Sequence, residues 1–226
     1  MSFKLEDFLI TGRTFGEYMA FFNLKTSELD GCKVLDCPSG ASSFIAEAKA
    51  KGIDAKGVDI LYQYEREDIK SQGVKSIEMI YQNQDVFDKA NMSFYGSVAN
   101  HRRFREEALR QFSEDYNRQD YLFAQLPRLP FEDESFDMLL SSHLLFVYDD
   151  RLDYDFHQNS IKEMLRVSRE VRIFPLVDYN NTRVDEEENF SPYVYQIVQK
   201  FGGEIIKVDF EFQKGANYML RIIRGQ

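Results

Sequence analysis

Apolar positions along this chain fall into short runs separated by turns of small residues. Lys33-Val34-Leu35-Asp36 is a brief apolar run ending on a carboxylate, followed by Cys37-Pro38-Ser39-Gly40-Ala41-Ser42-Ser43 and a helix-competent stretch over 44–51. A second run over 55–59 ends on Asp59, a third strand is expected near Tyr121, and a fourth spans 136–141. A helix over 159–167 then leads to an apolar strand over 170–176, and a helix over 192–201 stops at Gly202-Gly203. Extended runs over 204–212 and 217–223, joined by Gln213-Lys214-Gly215-Ala216, read as a hairpin. Strands alternating with helices and closing in a hairpin predict an α/β sheet and exclude strand-only and helix-only folds. The first residues, up to about Leu29, read as helical, with Tyr18, Phe21, Phe22 and Leu24 supplying apolar surface.

One segment is too long for its place. Between Asp59 and Tyr121 a single helix would suffice, yet 65–72, 76–81 and 98–116 all read as helical and charged, with no proline from Ile60 to Leu126. A surplus on the order of a few tens of residues exceeds an idle loop. We expect one domain over residues 1–226, with 62–120 inserted as a helical cap.

Composition adds bounds. The 226 residues are 43% hydrophobic and 29% charged, as in soluble globular proteins. No apolar stretch reaches the ~20 residues that span a bilayer, and the first residues lack the organisation of a signal peptide. The expectation is a cytoplasmic protein with no membrane partner. A formal charge of −10 disfavours a nucleic-acid surface. Cys32 and Cys37 flank the first strand and are expected to be reduced; His101, His143 and His157 are scattered, so no metal site is expected. His101-Arg102-Arg103-Phe104-Arg105 runs straight into Glu106-Glu107 and reads as a solvated helix face, while Asp185-Glu186-Glu187-Glu188 reads as acids favoured by a following helix N-terminus.

The candidate chemistry lies at the ends of the first two strands. In an α/β sheet, ligands bind beyond the carboxyl ends of the strands. Asp36 precedes the turn, where it suits a cationic amine, and the turn lacks the glycine pattern of a dinucleotide fold. Asp59 follows 59 − 36 = 23 residues later, close to the roughly 20 of one strand–helix–strand step, where a carboxylate can accept both ribose hydroxyls. Together they point to a nucleoside carrying a positive charge.

These residues, with Leu129-Pro130-Phe131-Glu132-Asp133-Glu134-Ser135-Phe136-Asp137 leading into the fourth strand, resemble the class I S-adenosylmethionine-dependent methyltransferases of small-molecule type. The resemblance covers most of the chain from about Val34 to Ile223, apart from the insertion. It implies a Rossmann-like seven-stranded, mostly parallel sheet whose last strand is antiparallel, with helices on both faces. It implies S-adenosylmethionine as cofactor and a small-molecule acceptor methylated on O, N or C. Asp36, Pro38, Ser39 and Gly40 would lie beside the methionine moiety, with Ser42 keeping the turn narrow; Asp59, with Ile60, would hold the ribose. Gln125, beside Leu126, stands where the family has its adenine-binding acid. Ser142 and His143 would face the sulfonium, His143 as proton acceptor, and Tyr148 would line the substrate mouth. Arg13 and Tyr18 would close over the cofactor carboxylate. Pro38 and Ser42 replace the family's usual glycines, which leaves a non-catalytic binder of the same nucleoside as the alternative; a nicotinamide-dependent oxidoreductase is disfavoured by the missing glycine motif.

Overall fold

The computed structural model describes residues 9–82, 85–88, 90–178 and 190–225. Seven strands form one sheet in the order β3-β2-β1-β4-β5-β7-β6. They are β1 (Lys33–Asp36), β2 (Asp54–Asp59), β3 (Tyr121–Phe123), β4 (Phe136–Ser142), β5 (Ser168–Phe174), β6 (Glu204–Lys207) and β7 (Tyr218–Ile223). β1 pairs in parallel with β2 and β4, β2 with β3, and β4 with β5, whereas β7 is antiparallel to both β5 and β6. Only β7 is reversed.

Side chains alternate across this sheet, as strand geometry requires. Val34, Met138 and Leu140 join one apolar cluster with α1 (Phe15–Phe21) and α2 (Phe44–Ala50). Leu35 and Leu139 join the other, with α6 (Tyr154–Val167) and α7 (Val194–Phe201). Helices therefore cover both faces, and β1 lies between β2 and β4, where the strand order reverses. No helix among the described residues is long and apolar enough to cross a membrane.

The insertion consists of α3 (Arg66–Gln82), one-turn α4 (Asp85–Asp88) and α5 (Val98–Asp115). The sequence breaks α3 near Gly73; the structure does not. Leu109 of α5 packs over Gly73, where a Cβ would lie 2.7 Å from Leu109 Cδ1. The glycine is a contact point between helices. The insertion also reaches the far side of the sheet: Asn91 donates its amide to the Phe212 carbonyl (2.7 Å), and Phe94 meets Phe210 with ring centroids 5.1 Å apart. The expected hairpin is present, with β6 antiparallel to β7 and the Val208 amide still donated to the Asn217 carbonyl (2.9 Å), but its first strand ends at Lys207 and not near Phe212, and the residues beyond meet the insertion.

The N-terminal helix is shorter than expected. Thr14 caps α1 with Glu17 in a capping box, and Asn23, at φ 46°, ends it. The acidic run 185–188 lies outside the described residues.

Candidate functional site

Parallel register places Asp36 of β1 opposite Gly57 of β2 and Leu140 of β4. Asp59 and Ser142 therefore project one pleat further on either side of Asp36. Both acids are buried, Asp36 at 0% and Asp59 at 7% exposure. Neither carboxylate faces bulk solvent, and Asp59 is near enough to Asp36 to repel its charge. The turn that follows β1 is tied to β2: Ser39 donates its amide to the Val58 carbonyl (3.0 Å), and Gly40 donates to Asp59 Oδ2 (2.8 Å). Gly40 has φ 55°, a left-handed conformation that glycine adopts freely. Half-buried Pro38 follows a cis peptide bond at the start of this turn.

Each acid has its own environment. Burial pushes the Asp36 carboxyl up to about 8, against hydroxyl groups from Ser39 and Tyr18, with Asp59 adding repulsion. Burial also raises Asp59 to about 6, against backbone amides at Leu61, Gly40 and Ile60. The Leu61 amide donates to Asp59 Oδ1 (2.9 Å), so Asp59 caps the short turn Ile60–Gln63. Tyr62 of that turn donates its hydroxyl to the Gly40 carbonyl (2.7 Å).

Tyr18 supplies what the sequence does not show. Its hydroxyl lies 2.9 and 2.8 Å from the two oxygens of Asp36. Its ring stacks on Phe44 at 4.4 Å, and burial together with Asp36 raises its own pKa. A hydroxyl donor therefore stands where the sequence places an ammonium. Ser42 and Ser142 flank the same hydroxyl, and Ser42 Oγ also donates to the Arg13 carbonyl (2.5 Å).

His143 terminates β4 in a left-handed conformation, φ 55°, with its amide donated to the Phe174 carbonyl (2.7 Å). Its ring lies 5.2 Å from that of Phe21 and 5.6 Å from Phe174, and its buried Nδ1 has no partner among the described residues. Burial, then Arg13 and Arg105, push its pKa well below the ordinary value. The imidazole is thereby held neutral, because burial and two guanidiniums oppose its charging. Tyr148 ends the short helical turn Phe146–Tyr148, with Arg151 over its ring at 5.4 Å.

Gln125 is exposed and bridges to Arg128, while Leu126 is buried; both line a groove of about 560 Å³ at the end of β3. The Ala124 amide, 3.4 Å from the Asp59 carbonyl, ties this segment to the end of β2.

Half-buried Arg13 is near Glu17, Tyr18, Tyr95 and Arg105; burial and Arg105 lower its pKa. Sequence reasoning missed the partners that surround it. Arg105 of α5, placed on a solvated face, is fully buried and pairs with Glu17, and Nη1 donates to the Gly12 carbonyl (2.7 Å). Arg102 does face solvent, bonding Glu78 and Glu106. The missed signal was spacing: His101, Arg105, Ala108, Leu109 and Phe112 lie on one buried stripe of α5.

The sheet order, with β7 antiparallel to both its neighbours, defines a Rossmann-like α/β protein. The chain belongs to the family of the uncharacterized protein MJ0045 of Methanocaldococcus jannaschii, with 34% identity over 225 residues and 98% of each chain covered. No family model matches the chain. Among solved structures, it is similar to a possible histamine N-methyltransferase, a SAM-dependent methyltransferase of Thermotoga maritima (14% identity, 92% of this chain and 89% of that one, TM-score 0.45). It is also similar to a SAM-dependent methyltransferase of Aquifex aeolicus (12%, 98% and 97%, 0.40) and to the PH0226 protein of Pyrococcus horikoshii (15%, 92% and 86%, 0.44). These likenesses are distant, and none carries an activity to this chain.

Proposed function

We propose that this protein is an S-adenosylmethionine-dependent methyltransferase that acts on a small-molecule acceptor by in-line methyl transfer. The observation that supports this most is Asp36 and Asp59 buried at neighbouring strand tips, with the Gly40 amide donated to Asp59. The residues fit the cofactor. Asp36 offers a carboxylate to the ammonium once the Tyr18 hydroxyl yields. Each Asp59 oxygen holds a backbone donor and retains a second acceptor site for a ribose hydroxyl. Gln125 and Leu126 border the adenine edge, and Arg13 offers its charge to the carboxylate.

When bound, S-adenosylmethionine supplies an electrophilic methyl group. The chain's part is to align the acceptor and exclude water, an effect worth up to ~7–11 kcal/mol. Phe21, Phe174 and Phe210 form an aromatic wall beside His143; the Phe21 and Phe210 rings are 4.6 Å apart. The neutral His143 imidazole, with its free Nδ1, would orient an acceptor by a hydrogen bond instead of removing its proton. The insertion would act as a cap over this wall, closing the substrate side.

The second reading, a non-catalytic binder of the same nucleoside, is favoured by Tyr18 bonded to both Asp36 oxygens and by Pro38 in the loop. Calorimetric titration with S-adenosylhomocysteine tests both readings. Binding to the native chain, weakened by on the order of tenfold or more in Asp36→Asn and in Asp59→Asn, is expected from the loss of a charge-assisted bond. No heat at millimolar ligand would reject both. Methylated product from any acceptor removes the non-catalytic reading.

A further inference from the structure

Two guanidiniums and one carboxylate are gathered beneath the insertion, and the carboxylate is fully used. Glu17 Oε2 accepts from the Thr14 amide (2.8 Å) and the Thr14 hydroxyl (2.9 Å). Glu17 Oε1 accepts from the Tyr95 hydroxyl (2.6 Å) and from Arg105. A carboxylate has about four acceptor positions, and all of these are taken. Burial opposes the ionisation of Glu17, but Arg105 and Arg13 outweigh it and hold its pKa low. The pair Glu17–Arg105 is therefore charged and closed.

Arg13 is left over. Its charge acts on Glu17, yet its side chain makes no ion pair among the described residues and donates only a long bond to the Gly12 carbonyl (3.5 Å). A partly buried, unmatched guanidinium attracts a carboxylate strongly, because few waters compete for it. We infer that Arg105 is a positioning residue: by saturating Glu17 it keeps Arg13 unpaired, so that Arg13 can take the carboxylate of the cofactor. This rests on the proposed cofactor and extends it to a residue of the insertion. The insertion thus sets the charge at the site without touching the ligand.

Charge logic makes the inference testable by rescue. Remove Arg105 and Glu17 turns to Arg13, cancelling the anion site; remove the charge of Glu17 as well and Arg13 is free again. Affinities are measured by calorimetry for S-adenosylhomocysteine and for its decarboxylated analogue, which keeps the ammonium. The native chain is expected to prefer the carboxylate-bearing ligand by on the order of tenfold or more, the worth of one charge-assisted bond. Arg105→Gln should lose that preference, Arg105→Lys should keep it, and the double variant Arg105→Gln/Glu17→Gln should regain it.

If Arg105→Gln does not fold, Glu17→Gln decides alone. It breaks the ion pair but leaves Arg13 unpaired, so the preference should persist; its loss would assign the pair a structural role and overturn the inference. A double variant that stays indifferent to the carboxylate also overturns it. So does a native chain that binds both ligands equally, while a native chain that binds neither removes the proposed cofactor itself.

Discussion

Asp36 and Asp59 are acids whose ionisation the fold opposes. Their pKa values, about 8 and about 6, lie above the ~4 of an unfolded aspartate, so the folded chain holds more protons between these limits. Stability of the ligand-free protein should therefore fall as pH rises from ~4 towards 8 and level off beyond. Urea denaturation across this range checks the trend, and Asp36→Asn should flatten its upper part, between about 6 and 8. An ammonium reverses the balance by favouring the ionised carboxylate. Binding of S-adenosylhomocysteine near pH 7 should thus release protons, approaching one per site. Calorimetry in buffers of different ionisation heat measures this, and the release should vanish in Asp36→Asn. The acids were legible because strand-tip position follows from apolar runs and turn composition. Tyr18 on Asp36 and Glu17 on Arg105 were not, since each is a contact between elements distant in sequence.

At the level of elements, two close approaches fix how the helices meet the site. Gly12 lies against the turn that follows β1, where an added Cβ would stand 2.1 Å from the Ala41 carbonyl oxygen. Gly73 lies against Leu109, a side chain that can rotate away. Overpacking costs about 1–3 kcal/mol and more where the obstacle is backbone. Gly12→Ala should therefore destabilise the protein clearly more than Gly73→Ala, as read by thermal or urea unfolding. The succession of strands along the chain was accessible from apolar runs closed by turns, whereas the mostly parallel sheet with its reversed last strand came with the family resemblance. Helix limits were less accessible: α1 is set by the Thr14–Glu17 capping box and by Asn23, while α3 passes through Gly73 because α5 packs there. Tertiary packing overrode local propensity at that glycine.

Across the whole molecule, the insertion joins parts of the sheet that the strands alone leave apart. It follows β2, near one edge, and its aromatic rings reach the segment after β6, at the other. Between these contacts, Arg105 and Tyr95 hold Glu17 of α1, and Ser76 accepts the Ile10 amide (3.1 Å). The sequence showed that this segment was surplus and helical. It could not show that α5 turns Arg105 inward, because a charged cluster followed by acids has the composition of a surface. The proposed function turns on what Asp36 and Asp59 hold. A crystal structure with S-adenosylhomocysteine tests this most directly. The ligand ammonium is expected on Asp36 in place of the Tyr18 hydroxyl, and the ribose diol on Asp59. Tyr18 still bonded to Asp36, with the ligand elsewhere on the protein, would contradict it.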